Sequence, residues 1–143
     1  MEGISREHRP RRSGKIPDVK TLTRLYFAAP PFLLAAFIFY SSGRPIPRPV
    51  AELEISDKLL HVAAYAVLAF LVSRWLGFQK PKASLKPIIA LSVVISGFYG
   101  VTDEFHQSFV PSRNPDVLDA VADFIGAALG APWGVLLIRR FRK

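Results

Sequence analysis

Two histidines and a set of carboxylates stand out between residues 57 and 123. His61 and His106 are accompanied by Asp57, Asp103, Glu104, Asp119 and Asp123. Lys58 and Arg113 supply positive charge, and Tyr65, Tyr99 and Gln107 add neutral hydrogen-bonding groups. Imidazoles and carboxylates are the usual general acids and bases. His61, Asp103, Glu104 and His106 are therefore the candidate catalytic residues. Glu104 and His106 are two positions apart, however, so a helix turns them away from each other. The same groups suit zinc, manganese or magnesium. Yet no H-E-x-x-H and no other recognised ligand spacing occurs, and the chain has no Cys. No metal and no cofactor are expected. No serine sits in a nucleophile elbow and no glycine-rich phosphate loop is present. The balance favours binding over catalysis.

Helical spacing groups these residues. Asp57, His61 and Tyr65 recur every fourth position, which is one side of a helix. Ser92, Ser96, Tyr99, Asp103 and His106 share one side of another. Asp119 and Asp123 share a side with Gly126, Gly130 and Gly134, and glycines at every fourth position let helices approach closely. Packing within the chain is the expected use of these glycines; a homo- or hetero-oligomer is the alternative.

The elements that carry these faces are apolar runs of bilayer length. Leu25–Tyr40 (extended by Leu22, Thr23 and Arg24), Leu59–Leu76, Pro87–Thr102 and Val117–Ile138 each approach the roughly 20 residues that a crossing needs. Pro30 and Pro31 predict a kink in the first. Asn114 is expected to cap the fourth, with Pro115 as its first helical residue. A soluble bundle would show a charged face on every helix. Phe32–Phe39 is apolar all round, and Ile88–Ile95 nearly so. The expected fold is an all-α integral membrane four-helix bundle over residues 25–138. Residues 1–24 read as a basic tail without regular structure, residues 42–56 as a proline-stiffened loop, and residues 139–143 as a second basic tail.

Charge orients the bundle. The net charge is +8, but no nucleic-acid-binding motif accompanies it, so no nucleic-acid partner is expected. The tail before the first span holds seven Lys or Arg, the 74–86 loop four and the C-terminal tail four. The 42–58 loop holds three and the 102–116 loop one. The positive-inside bias puts both termini in the cytoplasm and the acidic helix ends at the outer face. Ionisable groups set against lipid-length segments mark a functional site by default.

Three ordered motifs resemble the VanZ-like family. Asp57-Lys58-Leu-Leu-His61-Val-Ala-Ala-Tyr65-Ala-Val-Leu68 is similar to its D-K-x-x-H-x-x-x-Y-x-x-L segment. Tyr99-Gly100-Val-Thr-Asp103-Glu104-Phe-His106-Gln107, with Arg113 beyond, resembles Y-G-x-x-D-E-x-x-Q. Asp119 through Gly130 resembles D-x-x-x-[ND]-x-x-G-x-x-x-G. The resemblance covers residues 55–131. Asp123 stands where many members have Asn, Ser112 replaces the usual Gly, and Asn114-Pro115 shortens the connection into the last helix. The resemblance implies a multi-pass protein of the bacterial cytoplasmic (inner) membrane. For the family's named member it implies lower susceptibility to teicoplanin, a lipid-tailed glycopeptide.

The expected function is binding of an envelope ligand at the outer bilayer surface, either a lipid-linked intermediate or a lipoglycopeptide. Asp57, Lys58, His61, Tyr65, Tyr99, Asp103, Glu104, His106, Gln107, Arg113, Asp119 and Asp123 are the expected binding residues. A membrane enzyme acting on a lipid-linked substrate, and an assembly partner of another membrane complex, are the alternatives. The charge bias makes a direct prediction. A reporter fused after Lys143 should be active only in a cytoplasmic assay, and activity only in a periplasmic assay would invert the topology.

Overall fold

A computed structural model describes residues 18–44, 57–111, 113 and 115–141. The expected loop over 45–56 and the tail before Asp18 lie outside the described residues, as do Ser112, Asn114, Arg142 and Lys143. Four helices run in chain order: α1 (Val19–Ser42), α2 (Asp57–Gln79), α3 (Leu85–Gln107) and α4 (Val117–Arg140). All four are long and apolar enough to cross a membrane. Hydrocarbon offers backbone groups no partner, and a helix satisfies them internally.

Local chemistry sets the helix bounds and corrects two expectations, the start of α1 and the cap of α4. The α1 helix begins at Val19, inside the stretch expected to be unstructured tail. The Asp18 side chain accepts from the Thr21 amide at 2.8 Å and caps it. Pro30 and Pro31 do not interrupt it; α1 continues through both to Ser42. The cap of α4 is Asp116, not Asn114, and Pro115 lies before the helix. The reason is again a side chain: Asp116 accepts from the Leu118 amide at 2.8 Å.

Packing is inside-out compared with a soluble bundle. Phe32, Leu33, Phe98, Leu129 and Trp133 point outward, whereas Asp103, Glu104, Gln107, Asp119 and Asp123 are buried. Two serine hydroxyls within the spans return to their own helix. Ser92 donates to the Ile88 carbonyl at 2.7 Å and Ser73 to that of Phe70 at 3.0 Å.

The helix pair α2 and α4 makes the closest approach. A Cβ built on Gly126, Gly130 or Gly134 would fall on the carbonyl oxygen of Val62, Ala66 or Phe70 respectively. The three α4 glycines thus lie on three successive turns of the α2 backbone, within the same chain. Ala69, Ala127 and Ala131 continue this small-residue seam. The α3 helix meets α4 through Gly97, which accommodates the Phe124 ring, and Gly100, which accommodates Asp123.

The α1 helix lies against α2 and α3, and among the described residues it does not reach α4. Phe27 stacks on Phe78 at 4.2 Å, and Ile38 packs with Tyr65, Leu68 and Val72. The Tyr99 hydroxyl donates to the Ala35 carbonyl at 2.6 Å. At the basic end, the Arg139 guanidinium donates to the Ala83 carbonyl in the α2–α3 turn.

Gly130→Ala should destabilise the bundle by about 1–3 kcal/mol, the usual cost of forcing an extra methyl into a packed seam. Ala128→Leu, on the exposed side of α4, should leave stability unchanged. Thermal unfolding of both variants in detergent checks this, and equal melting temperatures would contradict the seam.

Candidate functional site

The C-terminal ends of α1 and α3 and the N-terminal ends of α2 and α4 meet at one end of the bundle. This is a consequence of antiparallel packing. Most of the polar groups then find a partner on a different helix. The Lys58 ammonium on α2 bridges Asp116 Oδ2 at 2.6 Å and Asp119 Oδ1 at 2.8 Å. The backbone amide of Asp116 donates to Glu104 Oε2 on α3 at 3.0 Å. Gln107 Nε2 donates to Glu104 Oε1 at 3.1 Å and, more weakly, to Asp103 Oδ2 at 3.3 Å. Asp103 Oδ1 accepts from the Ser42 hydroxyl on α1 at 2.7 Å. One hydrogen-bonded chain therefore links all four helices.

His61 occupies the centre of this arrangement. Its Nδ1 lies 2.9 Å from Asp123 Oδ1, and its Nε2 lies 4.0 Å from Glu104 Oε1. A carboxylate on Nδ1 selects the tautomer carrying its proton there and fixes the ring. Asp123 is 0% exposed, held on one side by His61 and on the other by the gap that Gly100 leaves. The arrangement suits acid–base chemistry at Nε2, since a held imidazole keeps one nitrogen oriented for proton transfer.

Asp57, His61 and Asp119 each present a ligand atom within 4.8 Å of the others. That spacing would let them converge on one cation, although Lys58 already supplies positive charge to Asp119.

A cavity of ≈ 370 Å³ opens beside His61, between α1, α2 and α3. Asp57, His61, Tyr65, Asp103, Gln107 and Arg113 supply its polar lining. Leu34, Phe37, Ile38, Leu60 and Ala64 supply its apolar lining. On α2 the lining runs from Asp57 to Ala64 and Tyr65, a descent of roughly 10 Å along the axis. The charged groups thus sit near the helix ends and the apolar wall extends inward.

Ten of the twelve residues expected to bind are at this end and in or beside the network or the cavity. The other two are used differently. His106 turns to α1, where its ring stacks on Phe39 at 4.1 Å. Tyr99 directs its hydroxyl into α1, away from the acids. Both share a helix face with Asp103, but that face is wide enough to meet α1 as well as α2. Sequence reading missed Ser41 and Ser42. Their signal was a polar pair at the end of an otherwise apolar run. Arg44 was missed too: its carbonyl accepts from Arg113 Nε at 3.0 Å, and its guanidinium lies over the Tyr40 ring at 4.0 Å.

The VanZ/LLP1 family model matches residues 27–141. The chain is also similar to an uncharacterized protein of Schizosaccharomyces pombe, with 28% identity over 109 residues. That match covers 76% of this chain and 60% of the yeast protein, so the chain spans less than two thirds of that relative's length. No solved structure matches the chain.

The exposed edge of the network titrates in a readable way. The Lys58 ammonium, and after it the Leu118 amide, hold the Asp116 carboxyl below the ordinary carboxylate range. A carboxyl depressed in the folded state adds stability above its unfolded pKa and loses it as pH falls through the folded value. The first turn of α4 should therefore be held at neutral pH and loosen only on strong acidification. Lys58→Met should move that loosening to higher pH. Amide exchange at Leu118, followed against pH, reads the shift, and identical profiles would show that Lys58 does not hold Asp116.

Proposed function

The chain belongs to the VanZ/LLP1 family, and from that premise we propose that it is a multi-pass membrane protein that binds an amphiphile at its polar end. The amphiphile's head group is held by the charged rim of the cavity and its tail by the apolar wall. One observation carries this reading. A single cavity joins Asp57, Asp103 and Arg113 to Leu34, Phe37 and Ala64. A small polar solute would leave the apolar wall unfilled, and a hydrocarbon alone would leave the charges unmet. In this reading the basic end faces the cytoplasm of a bacterium and the cavity opens at the outer surface of its cytoplasmic membrane. Ligands of this kind include a lipid-linked wall intermediate and a lipid-tailed glycopeptide. The similarity to a yeast protein favours an ordinary membrane lipid among them.

A second reading rests on His61. Its ring is fixed through Nδ1 by Asp123, and Nε2 faces Glu104 across 4.0 Å. A bound ester or phosphoester brought to Nε2 would meet a base already oriented, with Glu104 beside it. His106, turned onto Phe39, has no part in that chemistry.

The binding reading is tested by filling the cavity. A photoreactive phenylalanine analogue at Phe37 should cross-link to a lipid-tailed molecule detectable by mass spectrometry of the purified protein. Ala64→Trp should reduce that cross-linking by about tenfold, as expected when a contact worth roughly 1.4 kcal/mol is lost. Undiminished cross-linking in a folded Ala64→Trp protein would remove the cavity as the binding site.

A further inference from the structure

The charges around the cavity differ in whether the protein already satisfies them. Lys58 is matched by Asp116 and Asp119. Both oxygens of Asp103 accept, one from Ser42 and one from Gln107. His61 is engaged by Asp123. Among the described residues, three charged groups of the lining have no ion pair: the Asp57 and Asp103 carboxylates and the Arg113 guanidinium. Arg113 uses Nε to hold the Arg44 carbonyl, which leaves its terminal nitrogens as donors. With both Asp103 oxygens taken by neutral donors, the lining offers, among the described residues, one carboxylate with neither hydrogen bond nor ion pair, Asp57, and one guanidinium with no carboxylate, Arg113.

A separate observation points to a missing partner. The Tyr65 hydroxyl is buried, with the residue 1% exposed, and it has no hydrogen-bond partner among the described residues. Tyr65 lines this same cavity. Helical side chains lean toward the N-terminus of their helix, so its ring leans toward the end where Asp57 stands. A buried hydroxyl left without a partner is costly. A ligand oxygen entering from the rim would satisfy it.

We propose that the head group taken by this cavity carries a phosphate and a primary ammonium together, as an ethanolamine phospholipid does. The inference rests on the reading of the cavity as an amphiphile site. The phosphate lies against Arg113, whose planar fork can hold two of its oxygens. The ammonium, with three N–H donors, lies against Asp57. A purely anionic head group would leave Asp57 facing like charge. A choline head group has the right charges but no N–H to donate to the carboxylate. The acyl chain follows Leu34, Phe37 and Ala64 inward.

Native mass spectrometry of the full chain in detergent tests this. Phosphatidylethanolamine, phosphatidylcholine and phosphatidylglycerol with the same acyl chains are added in equal amounts. Wild-type protein should retain the ethanolamine lipid about tenfold better than the other two, the weight of one charge-assisted contact. Asp57→Asn should erase that preference and Asp57→Glu should preserve it. Arg113→Gln should weaken all three lipids. Soluble phosphoethanolamine should fail to displace the bound lipid; displacement by it would assign the site to a free solute and overturn the proposal. Circular dichroism confirms that each variant is folded. Equal retention of the three lipids, with all retention lost in Ala64→Trp, would overturn the head-group assignment and leave the amphiphile site standing. Retention unaffected by Ala64→Trp would overturn both.

Discussion

Backbone contact between α2 and α4 is the constraint from which the polar site follows. Lipid gives apolar side chains little reason to leave it for a protein interface, so helices in a membrane associate through close packing and hydrogen bonds. Gly126, Gly130 and Gly134 remove the side chains that would hold α4 away from α2. Once α4 rests on the carbonyls of Val62, Ala66 and Phe70, its register against α2 is fixed. Asp119 then falls beside Lys58, and Asp123 beside His61. The seam and the site share one helix face, so the packing that excludes lipid also pairs the charges.

Burying this many ionisable groups is costly unless each finds a partner. The structure meets most of that demand by distributing donors and acceptors across helices; Asp123 Oδ2 is left without a hydrogen-bond partner among the described residues. Ser42 comes from α1, Lys58 and His61 from α2, Gln107 from α3, and the Asp116 amide from the start of α4. No single helix supplies every donor that its acids use. The network is consequently a register lock as well as a candidate site, because sliding any one helix by a turn would strand a charge. Acids at the starts of α2 and α4 also lie where the helix dipole favours negative charge.

The α1 helix has a different status. It reaches α2 and α3 mainly through rings and aliphatic side chains, with two side-chain hydrogen bonds to α3: Tyr99 donates to the Ala35 carbonyl of α1, and Ser42 of α1 donates to Asp103. The bulk of its large side chains face outward. This lighter packing leaves the cavity between α1, α2 and α3. A wall made partly of α1 gives the site apolar depth that the three other helices, packed tightly on small residues, have no room to form.

The sequence by itself determined the four spans, the faces on which acids, histidines and glycines recur, and the family. Those features depend on local facts. Residue polarity and the helical repeat are properties of a short stretch, and they survive whatever the stretch packs against. Tertiary structure decided the rest. It used His61 in the centre and turned His106 onto Phe39, although both are single histidines beside carboxylates. It brought Ser42 to Asp103 across 61 positions. The physical reason is rotational. A repeat of 3.6 residues per turn fixes which side chains share a face, but the helix's rotation and depth depend on the neighbour's surface. Those were set where Gly97 admits Phe124 and Gly130 meets Ala66, contacts between residues far apart in the chain.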